Sequence, residues 1–145
     1  DIGHYTIDMI FFSGGKYVEG ATRSSHLGVS LILDEISRLF QRQHGLTIDI
    51  NTAHKLLANG TVTILDQIYT VNNLREVVKS YARQVSSEIN TYFHSLSVRP
   101  EIGLAGGGGI NVLKGLVGLD YKLRIVDPPE FANAIGYWHY GKEYV

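Results

Sequence analysis

Residues 1–8 read Asp1-Ile2-Gly3-His4-Tyr5-Thr6-Ile7-Asp8 (DIGHYTID), and residues 9–12 continue as MIFF. Two acids, a glycine and a threonine stand ahead of an apolar run, with no apolar lead-in. Residues 5–13 are rich in β-branched and aromatic side chains and read as a strand. A turn whose backbone N–H groups converge can cradle phosphate oxygens. Gly3 permits close approach of a ligand to the backbone, and Thr6 adds a hydroxyl donor. Asp1 and Asp8 share the sign of phosphate, so their place beside it implies Mg²⁺ with its waters, or a base that orients an attacking water. The pattern points to a metal–nucleotide site; the plainer reading is a polar turn before a strand, since Asp and Gly are common turn formers. His4 is either a metal ligand beside Asp1 or Asp8, or a solvent-facing turn residue. The six histidines form no HxH or HExxH pattern, which favours the second.

Working outward, Gly14 and Gly15 can supply the positive φ of a hairpin turn over residues 13–16, and residues 16–23 read as the returning strand. A third short strand over residues 21–25 is a weaker reading. Residues 28–45 predict a helix, with Ile32, Ile36, Leu39 and Phe40 on one face and Gly45 as its stop. Residues 51–60 predict a shorter helix, with Asn51 as N-cap and Gly60 after its end. Residues 61–71 read as two short strands or one irregular one. Residues 74–93 hold the strongest helical stripe, from Leu74 through Tyr81 and Val85 to Phe93, with Asn73 and Glu76 spaced as a capping box. Residues 101–107 read as a short buried strand, 110–118 as a helix, 122–127 as a strand, and 128–140 as a final helix whose first turn suits Pro129. Trp138 and Tyr140 belong either to the core or to an interface, and the core is favoured because a terminal helix normally docks its apolar face.

Strand–helix alternation at the C-terminal end implies a partly parallel sheet covered by helices, an α/β architecture. Residues 27–72 interrupt that alternation and read as an inserted, mainly helical subdomain in a core formed by residues 1–26 and 73–145.

The second notable stretch is Gly106, Gly107, Gly108 and Gly109, placed where a strand meets a helix. Helix N-termini present free N–H groups and a positive dipole end. The spacing fits neither the dinucleotide fingerprint, which would need glycine at Val112 or Asn111, nor a Walker loop, since Lys114 lacks the flanking residues. Four glycines lose backbone entropy on folding, which favours a ligand-contacting loop over an idle turn.

Composition narrows the function classes. Thirteen Lys and Arg against fourteen Asp and Glu give a net charge of −1, so no nucleic-acid or anionic-membrane surface is signalled by bulk charge. The absence of cysteine excludes disulfides and thiolate metal sites and fits a reducing cytoplasm. No apolar run approaches the roughly 18 residues of a membrane span, and residues 1–20 lack the features of a signal peptide.

Taken in order, these motifs resemble those of the actin/Hsp70/sugar-kinase ATPase superfamily. DIGHYTID is similar to its second phosphate loop, Asp-x-Gly-x-x-Thr-x-Asp. IGLAGGGGI (residues 102–110) resembles its adenosine motif, and DPPEFANAIGYW (residues 127–138) its second connect motif, with Ala132 and Gly136 in an Ala-x-x-x-Gly pattern. The resemblance implies a ribonuclease-H-like βββαβαβα lobe with an insertion between the third strand and the first helix, which matches the order read above. Within the superfamily, the chain is most similar to bacterial and plasmid actin-like proteins of the ParM/StbA type.

That resemblance implies ATP and Mg²⁺ as ligands, self-assembly into filaments, and a part in plasmid or DNA segregation through a DNA-binding adaptor, in the cytoplasm, with no direct nucleic-acid or membrane contact. By position, Asp1 is the expected catalytic residue, holding metal-bound waters together with Asp8 and orienting the attacking water. Gly3, His4, Tyr5 and Thr6 are expected at the β/γ-phosphates; His4 and Tyr5 replace commoner small residues there. Gly106, Gly107 and Gly108 are expected at the ribose and adenine, with Gly109 where a small side chain is more usual. Ala132 and Gly136 are expected near an inter-lobe hinge. The resemblance also places Asp1 in the middle of a phosphate hairpin, with an apolar strand and a whole N-terminal lobe ahead of it. This chain would then present one wall of the cleft and be inactive without the other. Two other readings stay open: a lobe of a sugar- or acetate-type kinase, and a binding module with no nucleotide.

Overall fold

The structure is a computed structural model, and it describes residues 1–113, 119–120 and 122–144. Two antiparallel strands, β1 (Ile7–Ser13) and β2 (Lys16–Ser25), open the chain. Gly14 and Gly15 form the turn between them with φ of 56° and 74°. The expected third strand over residues 21–25 is instead the far half of β2. The ladder skips between the pairs Ile10–Thr22 and Phe12–Tyr17, so residues 18–21 bulge out of β2 around Gly20, which takes φ 78°. A bulge reads in sequence like a strand break, which is why one strand resembled two.

Two helices follow, α1 (Ser30–His44) and α2 (Ile50–Asn59), then a hairpin of β3 (Thr61–Ile64) and β4 (Gln67–Thr70). α1 buries Ile32, Leu33, Ile36 and Phe40 and ends at Gly45 in the left-handed region, as its sequence predicts. The cap of α2 is Asp49 rather than Asn51: the Asp49 carboxylate accepts from the Thr52 N–H at 2.7 Å. The stretch over residues 61–71 resolves as two strands, with Leu65 and Asp66 both at positive φ in the turn.

The long helix α3 (Leu74–Ser95) lays Tyr81, Ala82, Val85, Ile89 and Tyr92 into the core. Asn73 does not cap it with its side chain. It sits at φ 62°, and its carbonyl takes the N–H groups of Glu76 and Val77. Two tyrosine hydroxyls fasten α3 across the fold: Tyr81 donates to the Leu27 carbonyl at 2.7 Å and Tyr92 to the Ala21 carbonyl at 2.6 Å.

β5 (Gly103–Ala105) and β6 (Leu123–Ile125) then pair in parallel. β5 is buried only in part: Ala105 is covered, while Leu104 is 65% exposed. A 3-10 turn, Gly108–Asn111, stands at the start of the helix expected over residues 110–118, of which residues 114–118 lie outside the described residues. A second 3-10 turn, Pro129–Phe131, leads into α4 (Ala132–Tyr144). Trp138 and Tyr140 do not enter the core; they are 56% and 64% exposed. α4 carries apolar residues around its whole circumference, so no single face directs it inward. The Lys142 ammonium lies 3.7 Å from the centre of the Trp138 ring.

The buried apolar residues form one continuous cluster, from Ile2 and Ile7 through α1, α2 and α3 to Ala105, Ile110 and Leu113. It reaches both glycine-bearing turns, and that sets their positions. No described helix is long and apolar enough to cross a membrane.

Candidate functional site

Residues 1–8 form a tight hairpin. Ile2 and Ile7 pair across it and are both buried, at 2% and 1% exposure, so hydrophobic anchoring fixes its base. The Asp8 N–H donates to the Asp1 carbonyl and the Gly3 N–H to the Thr6 carbonyl, each at 2.9 Å. The tip is left with His4, Tyr5 and Thr6. Their three consecutive N–H groups meet no acceptor among the described residues. Such a run of unpaired amides at a turn is an anion nest.

The carbonyls of the same tip are taken. Gly28 N–H donates to Tyr5 O at 3.2 Å, Val29 N–H to Gly3 O at 3.1 Å, and Ser30 N–H to His4 O at 2.7 Å. The segment entering α1 thus clamps the tip. Gly28 makes this approach feasible: a β-carbon there would overlap the carbonyls of His4 and Tyr5. Sequence reading missed Gly28, although a glycine just ahead of a strong helix was a usable signal.

The glycine loop meets this hairpin directly. Ile2 N–H donates to Gly106 O and Gly109 N–H to Ile2 O, each at 2.9 Å. Gly107, at φ 94°, lies against Asp1, and a side chain there would strike the Asp1 carboxylate. A β-carbon on Gly109 would come within 2.7 Å of Ile2 and Val29, and one on Gly106 within 2.8 Å of the Ala132 methyl. Gly108 alone of the four faces open space. Three of the glycines are therefore required by backbone packing, and Gly108 presents the open surface. Gly107 N–H also donates to Pro129 O at 2.7 Å, tying the loop to the entry of α4.

The two acids differ. Asp8 accepts from the hydroxyls of Ser24 at 2.6 Å and Thr6 at 2.9 Å. Those two bonds, Ser24 first, hold its carboxyl below the usual range. The Thr6 hydroxyl is therefore committed to Asp8 in this arrangement. Asp1 accepts one bond at Oδ2 from the Asn133 side chain, at 2.8 Å. His4 is half-buried and stacks on His54 of α2, with ring centres 6.4 Å apart; Tyr5, with its ring edge-on to His4, is 71% exposed. No cluster of three metal-ligating side chains occurs among the described residues. Gly136, in α4, has open space around its α-carbon, whereas Ala132 packs on Gly106. A separate groove of about 410 Å³, lined by Phe11, Gly20, Tyr92 and Leu96 among others, lies between the bulge of β2 and the end of α3, away from both turns.

The hairpin thus carries three amides without an acceptor among the described residues at its tip and the Asp1 carboxylate at its base, where Gly107 packs on it, and Gly108 has open space around it. The family described as "Archaeal actin homologue MreB-like, C-terminal" matches residues 1–117. The chain belongs to that family. It has the fold of the C-terminal lobe of an actin-like ATPase. No curated protein sequence matches it.

Solved structures agree on the fold. Ta0583, an archaeal actin homologue in complex with ADP, matches with a TM-score of 0.82 and 19% identity over 99% of this chain. A ParM from Clostridium botulinum, solved as a 15-stranded filament, matches with a TM-score of 0.73 and 20% identity over 99% of the chain. A Bacillus thuringiensis ParM with AMPPNP matches with a TM-score of 0.71 and 15% identity over 90% of the chain. The MreB-like chain covers 48%, 44% and 42% of these three, and so spans a little under half of their length.

Proposed function

We infer that the chain is the nucleotide-binding C-terminal lobe of an ATPase that polymerises with ATP, for plasmid or DNA segregation, with its own copies and a DNA-binding adaptor as partners. The observation that carries this reading is the trio of N–H groups at His4, Tyr5 and Thr6 without an acceptor among the described residues, on a hairpin whose base, at Asp1 and Ile2, packs against the glycine loop. The similar structures, which include complexes with ADP and AMPPNP and a filament, support the ligand class and the self-association.

The residues present fit Mg²⁺–ATP. The nest offers its amides to phosphate oxygens, and its backbone dipoles favour negative charge. Asp1 would hold water of the metal, which suits a cation that keeps most of its waters. Bound there, Mg²⁺ would offset phosphate charge as the γ-phosphoryl group transfers. Asp8 keeps the Thr6 hydroxyl, and with it the hairpin, in one orientation. Gly108 leaves room for the ribose and base, and the other three glycines hold the loop against Asp1. Phosphoryl transfer depends on groups positioned from both walls of a cleft, so one lobe is expected to bind weakly and turn over negligibly. Residues 27–72 are assigned here as the inserted subdomain and the source of filament contacts, and α4 as the hinge-side element.

The test compares this 145-residue chain with a polypeptide extended N-terminally by a complementary lobe. ATP hydrolysis and light scattering should appear only in the extended protein. Robust hydrolysis by the chain alone contradicts the reading, as does calorimetry showing no Mg²⁺–ATP binding by the extended protein. Phosphate transfer to a small acceptor without any polymer would favour a kinase of the same superfamily.

A further inference from the structure

α4 meets Asp1 and the glycine loop through its first turn. None of residues 132–143 is buried, and Ile135, Tyr137 and Trp138 stand exposed. Apolar burial among the described residues therefore does not set where the helix lies. Two contacts of its first turn bear on it, besides the Gly107 N–H to Pro129 O bond just ahead of the helix. The Ala132 methyl sits on Gly106, and the Asn133 amide donates to Asp1 Oδ2 at 2.8 Å across the whole length of the sequence. The other carboxylate oxygen, Oδ1, lies over Gly107, where only glycine leaves it room. One oxygen is bonded and the other walled, so the carboxylate has a defined orientation.

We propose that Asn133 is a positioning residue for Asp1, and that their shared hydrogen bond links the first turn of α4 to whatever Asp1 holds. This rests on the reading of Asp1 as the carboxylate facing the nucleotide's metal and water. Asn suits the role for three reasons. Its amide donates without adding charge beside the carboxylate. Its short side chain leaves little rotational freedom. Its place in the first turn of α4 makes the carboxylate contact possible only when that turn is docked. The bond therefore works in both directions: it aims Asp1, and it holds the helix.

The experiment uses the full-length polypeptide containing this chain. Without nucleotide, hydrogen exchange of the α4 amides at residues 134–137 is measured in Asn133→Ala, Asp1→Ala and the double variant. Each single change should speed exchange about tenfold, and the double should do no more than either, because both remove one bond. Unchanged exchange, or effects that add, overturns the link. With ATP, Asn133→Asp is compared with the parent. The substitution is isosteric, and an acid is welcome in the first turn of a helix, so folding is retained while the carboxylates repel. A drop of about tenfold or more in kcat with KM for ATP within twofold is expected. The exchanged pair, Asp1→Asn with Asn133→Asp, should restore slow exchange but not kcat. Full turnover by Asn133→Asp overturns the positioning role. Absence of nucleotide binding in the parent would sink the functional reading, while the exchange measurement would still decide the Asn133–Asp1 link.

Discussion

Gly28 and Tyr5 are backbone neighbours: the Gly28 N–H donates to the Tyr5 carbonyl at 3.2 Å, and a β-carbon on residue 28 would overlap that carbonyl group. Gly28→Ala must therefore push the tip of the first hairpin away from α1. The expected loss is about 1–3 kcal/mol of stability, the usual range for overpacking. Loss of nucleotide affinity should accompany it, because the His4–Thr6 amides ride on the same tip. Chemical denaturation and nucleotide titration of the same variant check this; unchanged values for both would mean that the tip is not clamped from this side.

The glycine loop separates into two classes by substitution. Gly107→Ala and Gly109→Ala should fold poorly, the first through its φ of 94° and the Asp1 carboxylate, the second through Ile2 and Val29. Gly108→Ala meets open space and should keep its melting temperature, while weakening nucleotide binding about tenfold if the ribose and base lie on that surface. Melting curves of the three alanine variants, with nucleotide affinity for Gly108→Ala, separate packing from ligand contact.

Ser86 is 3% exposed on the inward face of α3, and its hydroxyl has no partner among the described residues. An unpaired buried hydroxyl costs about 1–3 kcal/mol. Ser86→Ala should raise stability by about 1 kcal/mol, or about 2–4 °C in Tm for a domain of this size. A lowered Tm would show that the hydroxyl finds a partner.

Burial pushes the Tyr81 phenol up to about 12, from an ordinary value of 10. The unfolded chain then releases this proton at lower pH than the folded chain does. The tyrosine's contribution to stability is complete below pH 10 and is lost as pH rises from 10 through about 12. Tyr81→Phe removes the bond to Leu27 and should cost about 1 kcal/mol at neutral pH. It should also flatten the decline above pH 10, although not abolish it, since burial pushes Tyr92 in the same direction. Urea midpoints followed from pH 8 to 12.5 test both effects; equal alkaline slopes in variant and parent would refute the assignment.

Much of the scaffold was legible because it is local. The stripes of α1 and α3, the Gly14–Gly15 turn and the Gly45 and Gly60 stops all follow from side-chain period and backbone freedom within a few residues. What escaped depends on partners distant in sequence or on near-equivalent neighbours. Asp49 and Asn51 are both good cap formers two residues apart, and only the fold shows which one reaches the Thr52 N–H. Asn73 has capping chemistry but spends it in a left-handed turn. The core is favoured for Trp138 and Tyr140 because a terminal helix normally docks its apolar face, yet none of residues 132–143 is buried.

The site divides in the same way. Its two turns could be picked out from glycines and acids in short stretches. Their direct contact through Ile2, Gly106 and Gly109, the clamp from Gly28 and the Asn133–Asp1 bond could not, because each joins segments far apart in the chain.

The bulge of β2 has a bearing on how such a lobe can assemble. Residues 18–21 leave the ladder, Gly20 turns the backbone, and Arg23 beside it is paired with Glu88 at 3.0 Å. An outer strand broken in this way offers no straight row of amides and carbonyls for a neighbour to extend. Such an edge resists sheet-to-sheet growth of the kind that ends in aggregation, so the outer face of this hairpin can tolerate substitution without inviting strand pairing.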